Sequence, residues 1–513
     1  MPVARTRAIA LLGLTGSVVE VEADLSSQLP AFVIIGLPDA ALGEARERVR
    51  SAAVNAGCPL PQRRLTVNLS PAALPKHGSG FDLAIAVACL ASAGQIDPLA
   101  IESTVHLGEL GLDGRLRPID GILPAVLAAA RAGHETVMVP AANVAEASLV
   151  PGVRVVGATS LLDAAIHHGG RFAPVPVEQV PLAVRPDGEG GTAAGDLADV
   201  AGNAEAIEAL LVAAAGGHHV FLAGPPGAGK TMLASRLPGL LPDLLPEAAL
   251  EVASLRSLSG QPPGGSLSVR PPYEAPHHTA TAAAMVGGGS RLIRPGAAAR
   301  ASHGVLFLDE APEFAASVLD VLRQPLESGT ISIHRANAVA TFPARFQLVL
   351  AANPCPCGEW GVRDTECTCA PIVRRRYLSR ISGPLLDRID VQLRVPRMTA
   401  AMLRVAAERP GLSTAEARDR VSRARSIAGE RLAQTPWRTN AEVPGPWLRH
   451  GDRRLGSRAT APVDRALERG VITMRGYDRV LKVAWTMSDL EGTERPDAAA
   501  VGRALYLRKG LAA

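Results

Sequence analysis

The sequence predicts an α/β multidomain protein, in which an α/β core follows an α+β region and precedes a helical region. Within the core, a glycine-rich loop at 224–231 separates a strand-like apolar run from a run that favours a helix. A second apolar run, 305–308, ends in two adjacent carboxylates, at the strand end where ligands bind in open α/β sheets. From about Met398 the apolar residues recur with helical spacing. A chain of 513 residues has room for about three such domains.

Composition, charge and the apolar runs indicate what builds the core, which partners are permitted and whether the chain enters a membrane. Hydrophobic residues make up 47% of the chain and aromatic residues 3%, so we expect cores built mainly from Ala, Leu and Val. The net charge of +4 permits a nucleic-acid partner without indicating one. The first apolar run resembles a signal peptide, but Gly13 and Gly16 interrupt it and an alternating strand pattern follows. No apolar stretch reaches the roughly 20 residues that span a bilayer, so we expect a cytoplasmic protein without membrane contact.

The first 170 residues combine strand and helix patterns and predict an α+β domain. Ala31–Ile35 and Leu65–Leu69 have the composition of strands. Asp39 is in position to cap a helix that runs to Ala56. Phe81–Ala93 is apolar enough for a buried helix.

A linker is predicted at residues 171–198. This stretch is rich in Pro, Gly and charged residues and lacks periodicity. The α/β core is then expected at 199–397 and the helical region at 398–513.

The loop FLAGPPGAGKT at 221–231 fits the pattern G-x-x-x-x-G-K-[ST]. In this pattern backbone N–H groups surround phosphate oxygens, and the N-terminus of the following helix adds partial positive charge. Lys230 is expected to reach the β- and γ-phosphates, and the Thr231 hydroxyl is expected to ligate Mg²⁺. The sequence therefore predicts a site for a nucleoside triphosphate. Its expected nucleotide contacts are Gly224, Pro225, Pro226, Gly227, Ala228, Gly229, Lys230 and Thr231.

Two further strand ends supply groups for hydrolysis. Asp309 is expected to hold Mg²⁺ through water and Glu310 to polarise the attacking water, because the metal needs a hard oxygen ligand and the water needs a carboxylate. Asn353 follows the predicted strand 346–352, where its amide can orient the same water. The alternative for Asn353 is an Asn-Pro turn that starts a loop.

Four of the six cysteines lie within fifteen residues and suggest a metal site. Cys355, Cys357, Cys367 and Cys369 form a C-x-C…C-x-C pattern, and four thiolates can enclose a tetrahedral Zn²⁺. The spacing is tighter than in the usual zinc motifs. The alternatives are reduced thiols in an ordered loop or a redox-sensitive pair. The other two cysteines are expected to be buried apolar residues.

Two stretches of the first domain, LPKHGSGFDLAIAVACLASAG and GELGLDGRLRPIDGILPAVLAAARAG, resemble the proteolytic domain of Lon-type proteases. That family uses a serine nucleophile activated by a lysine. In this chain the serine position falls on Gly80 and the lysine position on Leu123, while Ser79 and Lys76 lie nearby in the wrong register. The resemblance therefore implies a Lon-like fold over residues 1–170 without the catalytic dyad, unless another arrangement performs hydrolysis.

The order of glycine loop, Asp-Glu strand and Asn strand is similar to that of AAA+ ATPases. The chain also contains the stretches APHHTATAAAMVGGG, HGVLFLDEAPEF, LRQPLESGTISIHRA, AANPCPCG and ISGPLLDRID. In this order they resemble the magnesium-chelatase-like AAA+ proteins of the YifB/ComM family, and the resemblance covers essentially the whole chain, including a C-terminal helical lid. It implies ATP and Mg²⁺, hexameric rings with ATP between neighbouring subunits and, for ComM-type members, DNA branch migration or helicase activity during integration of incoming DNA.

The resemblance also assigns roles to single residues. Arg388 takes the position of an arginine finger, which completes the ATP site of the neighbouring subunit. The alternative is a surface arginine paired with a neighbouring aspartate. In AAA+ lids a helix carries an arginine that senses the γ-phosphate, and the nearest match is Lys482, with Arg479 one turn before it. Trp485 stands where relatives commonly have arginine, so the chain departs from the pattern there.

Candidate DNA contacts come from a predicted hairpin at Thr330–Thr341. In ring helicases the corresponding hairpin points into the central pore, so the resemblance makes His334 and Arg335 candidate contacts to DNA phosphates. An ordinary solvated hairpin is the alternative. His277 and His278 either line the pore or stabilise a loop.

These observations favour an oligomeric, Mg²⁺-dependent ATPase that moves along DNA. One alternative is a chelatase motor subunit that acts through a protein partner on a porphyrin. The Lon-like front domain argues against it, because chelatase motor subunits lack one. A second alternative is a nucleotide-switched scaffold with slow turnover, which the presence of Glu310 and Arg388 disfavours.

Overall fold

Two large β-sheets organise the part of the chain that the structure describes. The computed structural model describes residues 3–36, 41–72, 74, 76, 80–182, 195–289, 293–335, 338–361, 366–408 and 411–509. The predicted helix cap Asp39, the nearby Ser79 and residues 183–194 of the predicted linker lie outside these residues. No helix among the described residues is both long and apolar enough to cross a membrane.

The N-terminal sheet contains seven strands in the order β3-β4-β2-β1-β5-β8-β9. The strands of this region are β1 Ala4–Leu12, β2 Thr15–Ser26, β3 Ala31–Ile35, β4 Arg64–Ser70, β5 Thr104–His106, β6 Glu109–Leu110, β7 Leu116–Arg117, β8 Thr136–Pro140 and β9 Arg154–Ala158. β2 runs antiparallel to β1 and β4, whereas the remaining pairs in the sheet are parallel. The predicted strands at 31–35 and 65–69 are confirmed.

Helices cover both faces of this sheet, as the two separate hydrophobic cores on β1 indicate. They are α1 Ala41–Asn55, α2 Asp82–Ser92, α3 Pro98–Glu102, α4 Ile122–Arg131, α5 Val144–Ala147 and α6 Leu161–His167. Every residue of α2 is buried, because the helix carries Leu, Ile, Val and Ala around its whole circumference. The expected buried helix at 81–93 is confirmed, and so is the α+β character of the region.

The second sheet has five parallel strands in the order β11-β14-β17-β10-β18. The strands of this region are β10 Val220–Ala223, β11 Tyr273–Glu274, β12 Gly287–Gly288, β13 Arg294–Pro295, β14 Val305–Leu308, β15 Thr330–Arg335, β16 Ala338–Pro343, β17 Gln347–Ala352 and β18 Val391–Arg394. β12 pairs with β13, and β15 with β16, as antiparallel hairpins outside the sheet. The predicted hairpin and the predicted strands at 305–308 and 346–352 are confirmed.

Strands β10, β14 and β17 are buried on both faces, which explains their continuous apolar sequences. Alternate residues of these strands enter two different hydrophobic cores. The helices of the core are α7 Ala204–Gly216, α8 Lys230–Leu240, α9 Pro246–Leu258, α10 Ala282–Val286, α11 Ala297–Arg300, α12 Ala316–Asp320, α13 Pro325–Ser328, α14 Pro371–Leu378 and α15 Gly383–Leu386.

The C-terminal region is helical, as predicted. Its helices are α16 Ala400–Ala407, α17 Thr414–Leu432, α18 Gly445–Arg449, α19 Ser457–Glu468, α20 Met474–Glu491 and α21 Ala498–Lys509. Ser413 and Glu416 form the capping box at the start of α17. Helices α17, α20 and α21 share one hydrophobic core with α7, α8 and one face of the parallel sheet.

The N-terminal region packs directly against the α/β region that contains the parallel sheet. Ala253 of α9 belongs to the hydrophobic cluster beneath α4. The Gly121 N–H donates to the Ser257 carbonyl over 3.2 Å, and the Asp120 carboxylate pairs with the Arg294 guanidinium at 2.8 Å. The two regions are therefore joined by packing, a backbone hydrogen bond and an ion pair.

A buried aspartate fastens the C-terminal helices to the sheet. Asp390, which is 2% exposed, precedes β18 and accepts from Arg479 of α20 at 2.5 Å. His218 lies 3.3 Å away on the other carboxylate oxygen. Burial opposes ionisation, but Arg479 and His218 outweigh it and hold the pKa of Asp390 well below its usual value.

We expect Asp390→Asn to lower the free energy of unfolding by about 3 kcal/mol, because it leaves Arg479 without its carboxylate partner. In the native protein this contribution is present above about pH 4 and is lost as pH falls, because the folded pKa lies below the unfolded one. Chemical denaturation of the full chain between pH 7 and pH 3 measures both effects. Asp419→Asn, which breaks an exposed pair with Arg423, is the matched control and should change little. Equal effects of both variants would contradict this assignment.

Candidate nucleotide and metal sites

The loop after β10 has the backbone that its glycines predict. Gly227 and Gly229 have φ of +74° and +88°, in the left-handed region that glycine adopts without strain. A Cβ at either position would meet no atom within 4 Å, so backbone conformation rather than space requires glycine there. At Gly224 a Cβ would lie 2.2 Å from the Val395 carbonyl oxygen, so close packing requires glycine. Helix α8 begins directly after the loop, at Lys230.

Lys230 is folded into the loop. Its ammonium donates to the carbonyl oxygens of Gly224 and Pro225 at 2.6 and 3.0 Å and to the Asn353 side-chain oxygen at 3.0 Å. Burial lowers the pKa of this ammonium, against the opposing effect of Asp309 and Glu310. The lysine thus connects the loop after β10 to the residue after β17.

Thr231 and Asp309 meet at the same sheet edge. The Thr231 hydroxyl donates to Asp309 Oδ2 at 2.7 Å, and the backbone N–H of Glu310 donates to Asp309 Oδ1 at 2.9 Å. A hydroxyl and a carboxylate are the hard oxygen ligands that Mg²⁺ prefers. The donor set therefore fits the magnesium ion that the sequence predicts.

Glu310 has an unusual backbone. Its φ is +49°, which is rare for a residue with a side chain and costs about 1 kcal/mol or more. Half of its side chain is exposed, and its Oε2 lies 3.6 Å from Nδ1 of His278. The sequence predicted that His278 either lines a pore or stabilises a loop, and it did not indicate the contact with Glu310.

Arg388 lies away from the loop of its own chain. It precedes β18 at the amino ends of the parallel strands, whereas the loop at 224–231 follows their carboxyl ends. Its guanidinium forms an ion pair with Glu327 and donates to the Pro384 carbonyl at 2.5 Å. The alternative of a pair with a neighbouring aspartate is wrong, because Asp390 pairs with Arg479 and Asp387 lies near Arg508.

Lys482 lies among charged groups at the amino end of β18, and its role as a nucleotide contact stays a prediction. The ammonium donates to the Ala441 carbonyl at 2.8 Å, and burial lowers its pKa. Asp390, at the amino end of β18, is its strongest acidic neighbour. Arg479 one turn earlier is bound to the same aspartate. Arg479 thus links the C-terminal helices to the sheet, whereas Lys482 links α20 to the segment at Ala441.

The four clustered cysteines come together. Cys355 Sγ lies 3.3 Å from that of Cys357 and 3.7 Å from that of Cys367, and all four sulfurs lie within 4.8 Å of one another. A tetrahedral zinc site with Zn–S bonds of about 2.3 Å requires sulfur separations of about 3.8 Å. Burial raises the pKa of Cys355 to about 11, whereas the Glu359 N–H lowers that of Cys357 to about 6. The geometry fits a four-thiolate metal site.

The cysteine loop packs on the glycine-rich loop. A Cβ at Gly358 would lie 2.5 Å from Cδ of Pro226, so the two loops touch at this point. Gly358 has φ of +81° and follows Cys357 directly. The conformation of the cysteine cluster therefore bears on the loop at 224–231.

The two antiparallel hairpins lie side by side. A Cβ at Gly287 in β12 would come 2.9 Å from Ile333 in β15, and Arg335 donates to the Gly289 carbonyl. His334 is exposed beside Arg335 near the end of β15. Residues 336–337 at the predicted turn lie outside the described residues. Two candidate DNA contacts thus stand at the end of a hairpin that a second hairpin supports.

The positions of the protease dyad carry no catalytic groups. Gly80 has no side chain, and Leu123 is fully buried in a hydrophobic core. Lys76 is 1% exposed and donates to the carbonyl oxygens of Gly36, Pro71 and Leu74. The Lys76 ammonium therefore binds three backbone carbonyls and has a structural role.

Three related family descriptions match successive parts of the chain. "Subunit ChlI of Mg-chelatase" matches residues 21–143, "Magnesium chelatase, subunit ChlI" matches 196–403, and "Magnesium chelatase, subunit ChlI C-terminal" matches 411–508. In addition, the Lon protease of Mycolicibacterium smegmatis is 30% identical over 153 residues, which are 28% of this chain and 19% of that protease.

Three relatives are similar along nearly the whole chain. An uncharacterized protein of Mycobacterium tuberculosis is 48% identical over 517 residues, covering 99% of each chain. The competence protein ComM of Haemophilus influenzae is 41% identical over 491 residues, covering 95% of this chain and 93% of ComM. The uncharacterized protein YifB of Escherichia coli is 39% identical over 488 residues, covering 94% and 93% respectively.

Proposed function

Because the chain belongs to the YifB/ComM family of magnesium-chelatase-like proteins, we propose that it is a Mg²⁺-dependent AAA+ ATPase that drives DNA branch migration during DNA uptake and recombination. One observation carries the ATPase proposal. Lys230, Thr231, Asp309 and Asn353 follow three neighbouring strand ends, where Lys230 donates to Asn353 and Thr231, the next residue, donates to Asp309. ATP hydrolysis needs these groups together: a cation for the phosphates, hard oxygens for Mg²⁺ and an amide for the water.

Each residue of this set has a separate task. Lys230 exchanges its carbonyl partners for the phosphates of ATP, which offer a stronger, charged acceptor. Glu310 polarises the attacking water as a general base, and the Asn353 amide orients that water. Thr231 and, through water, Asp309 would hold Mg²⁺, which when bound would neutralise charge on the phosphates.

The active site is proposed to be shared between subunits. Arg388 lies at the amino end of the strands, so it cannot serve the loop of its own chain without large rearrangement. In a hexameric ring it would reach the neighbouring ATP site, once it leaves Glu327 for the stronger charge of the phosphates. An isolated subunit should therefore hydrolyse ATP slowly.

DNA is proposed as the track of the motor. His334 and Arg335 lie on the hairpin β15–β16, and the relative ComM of Haemophilus influenzae is a competence protein. Contacts of this kind to phosphates depend on charge and weaken as salt is raised.

The ATPase and DNA proposals are tested together on the assembled protein. We expect Mg²⁺-dependent ATP hydrolysis that forked and four-way DNA stimulate, accompanied by strand displacement. Lys230→Ala should abolish turnover, and Glu310→Gln should lower kcat by about 10²–10⁴-fold while ATP still binds. Hydrolysis that DNA leaves unchanged, without strand displacement, would refute the DNA motor and favour a motor that acts on a protein partner. Turnover that survives in Lys230→Ala would indicate a contaminating ATPase.

The shared site predicts complementation between two inactive variants. Arg388→Ala should lower kcat by about 10³-fold or more, because transition-state charge loses its cation. Mixing it with Lys230→Ala subunits should restore activity, since some interfaces then combine an intact loop with an intact arginine. Glu327→Ala removes only the resting partner of Arg388 and should retain activity. Failure of the mixture to recover would place both residues in the same subunit's site.

We also propose that the four cysteines bind a structural Zn²⁺. All four thiolates would then coordinate, which leaves no open position for catalysis. Through the contact between Gly358 and Pro226, the ion would stabilise the loop that binds phosphate.

The purified wild-type protein should contain about one zinc per chain. Metal analysis of the Cys355→Ser/Cys367→Ser double variant should give only background, because two of four ligands are lost. Cys89→Ala, a change inside the buried helix α2, should keep the full zinc content. A wild-type protein without zinc would exclude the structural metal and leave reduced or redox-active thiols.

A further inference from the structure

The positive charge of the chain is concentrated in one segment of the C-terminal helical region. Residues 445–475 contain seven arginines and three acidic residues, which gives this segment a net charge of +4. The net charge of the whole chain of 513 residues is also +4, so the rest of the chain is neutral on balance. None of these arginines belongs to the proposed ATP site, the cysteine cluster or the hairpin β15–β16. Charge concentrated in this way favours a polyanionic partner.

Three arginines before and within the first turn of α19 form a surface, the arginine face. Arg453 ends the short helical turn Gly451–Arg453, and Arg454 and Arg458 follow it within six residues of chain. Within the described ranges none of the three forms an ion pair with a carboxylate, and the first turn of α19 contains no acidic residue. Arg454 and Arg458 are exposed. Their guanidinium groups are therefore available to an anion.

Two tryptophans hold one of these arginines in place. The guanidinium carbon of Arg453 lies 4.6 Å from the centre of the Trp447 ring. The rings of Trp447 and Trp437 lie 5.6 Å apart in an edge-to-face arrangement with 76° between their planes, and both pack against the hydrophobic core. A cation–π contact of this kind restricts the guanidinium before any ligand binds. Binding then costs less side-chain entropy than it would with a free arginine.

The groups that surround the arginine face are mostly basic or already occupied. Arg438 follows Trp437 and is exposed, as is His450. The carboxylate of Glu442 accepts from the backbone N–H groups of Arg438 and Thr439, which occupies it locally. Asp452 is the one acidic residue between positions 445 and 463, and it is exposed. It reduces the positive charge of the face without removing it.

Short contacts join this surface to the parallel sheet. Arg449 at the end of α18 forms an ion pair of 3.0 Å with Asp478 of α20, and a Cβ at Gly445 would overlap the same carboxylate. Arg479, the next residue of α20, binds Asp390 before β18. Two successive residues of α20 therefore connect the segment that carries the arginine face with the sheet.

We propose that the arginine face binds the phosphates of a polynucleotide, as a second contact besides the hairpin β15–β16. The inference rests on the proposed DNA function but not on ATP hydrolysis, because binding needs no nucleotide. Guanidinium groups that contact phosphates bind without sequence preference and more weakly as salt is raised. A membrane fits less well, because Trp437 and Trp447 pack against the core instead of projecting for insertion.

The test measures the affinity of the assembled full-length protein for fluorescently labelled four-way DNA, without nucleotide and over a range of salt concentrations. The triple variant Arg453→Ala/Arg454→Ala/Arg458→Ala should raise Kd about 10- to 100-fold at low salt. The slope of log Kd against log salt should fall by about three, because three phosphate contacts are lost. The loss should be the same for DNA of different sequences.

A second triple variant, Arg115→Ala/Arg423→Ala/Arg503→Ala, is the control. It removes the same number of exposed positive charges, but each of these arginines is ion-paired with a carboxylate. Its Kd should stay within about twofold of wild type. Asp452→Asn should instead tighten binding about two- to threefold at low salt, because it removes a negative charge beside the arginine face. A folding defect cannot produce that gain.

The outcomes separate this inference from the proposed function. Wild-type affinity in the triple variant of the arginine face would overturn the inference and leave the DNA function to the hairpin. Smaller assemblies of that variant in sedimentation, with unchanged affinity of the remaining rings, would assign the face to a neighbouring subunit and also overturn it. Loss of binding to phosphatidylglycerol vesicles alone would assign it to a membrane. A wild-type protein that binds no DNA would refute the DNA function and this inference together.

Discussion

The parallel register of β14, β17 and β10 determines where chemistry can occur in this chain. Ala223 pairs with Ala352, and Leu308 pairs with Leu350, so the three strands end at one edge. Apart from Arg388, which is proposed to act on a neighbouring subunit, every residue proposed for catalysis lies within two residues of those ends or in the loop after β10. A one-residue slip in any of these strands would turn its apolar side chains from one core to the other. Burial on both faces of the sheet thus also fixes the geometry of the site.

The polar groups of that site form hydrogen bonds with one another. The ammonium of Lys230 binds its own loop, and Thr231 binds the carboxylate of Asp309. The bonds of Lys230 satisfy a buried ammonium, which would cost several kcal/mol if it had no partner. Under the proposed function, phosphates and Mg²⁺ would offer stronger partners to the same groups, so their binding would replace existing contacts. Glu310 differs, because its left-handed backbone is strained and its side chain remains half exposed.

Local pattern predicted much of this arrangement, since strands, caps and the glycine loop depend on residues close in sequence. The strand 305–308 and the capping box at Ser413 are examples, and both are confirmed. Contacts between distant segments were not predictable in the same way. Lys482 has a suitable position along α20, but its ammonium donates to the Ala441 carbonyl and has Asp390 as a charged neighbour. The contact of His278 with Glu310 depends on β11 lying beside β14, which no single stretch of sequence encodes.

Two charged residues of the sequence LLDRID form ion pairs whose partners differ in exposure. Asp390 lies inside the protein, where Arg479 fixes it and so joins the C-terminal helices to the sheet. Arg388, two residues earlier, forms its ion pair with Glu327, a largely exposed carboxylate that competes weakly for it. The pair of Asp390 with Arg479 therefore anchors the short turn before β18, and the turn fixes the backbone of Arg388, whose side chain is largely buried. An arginine that must meet phosphates on another subunit needs both properties: a fixed backbone, and a resting partner that it can leave.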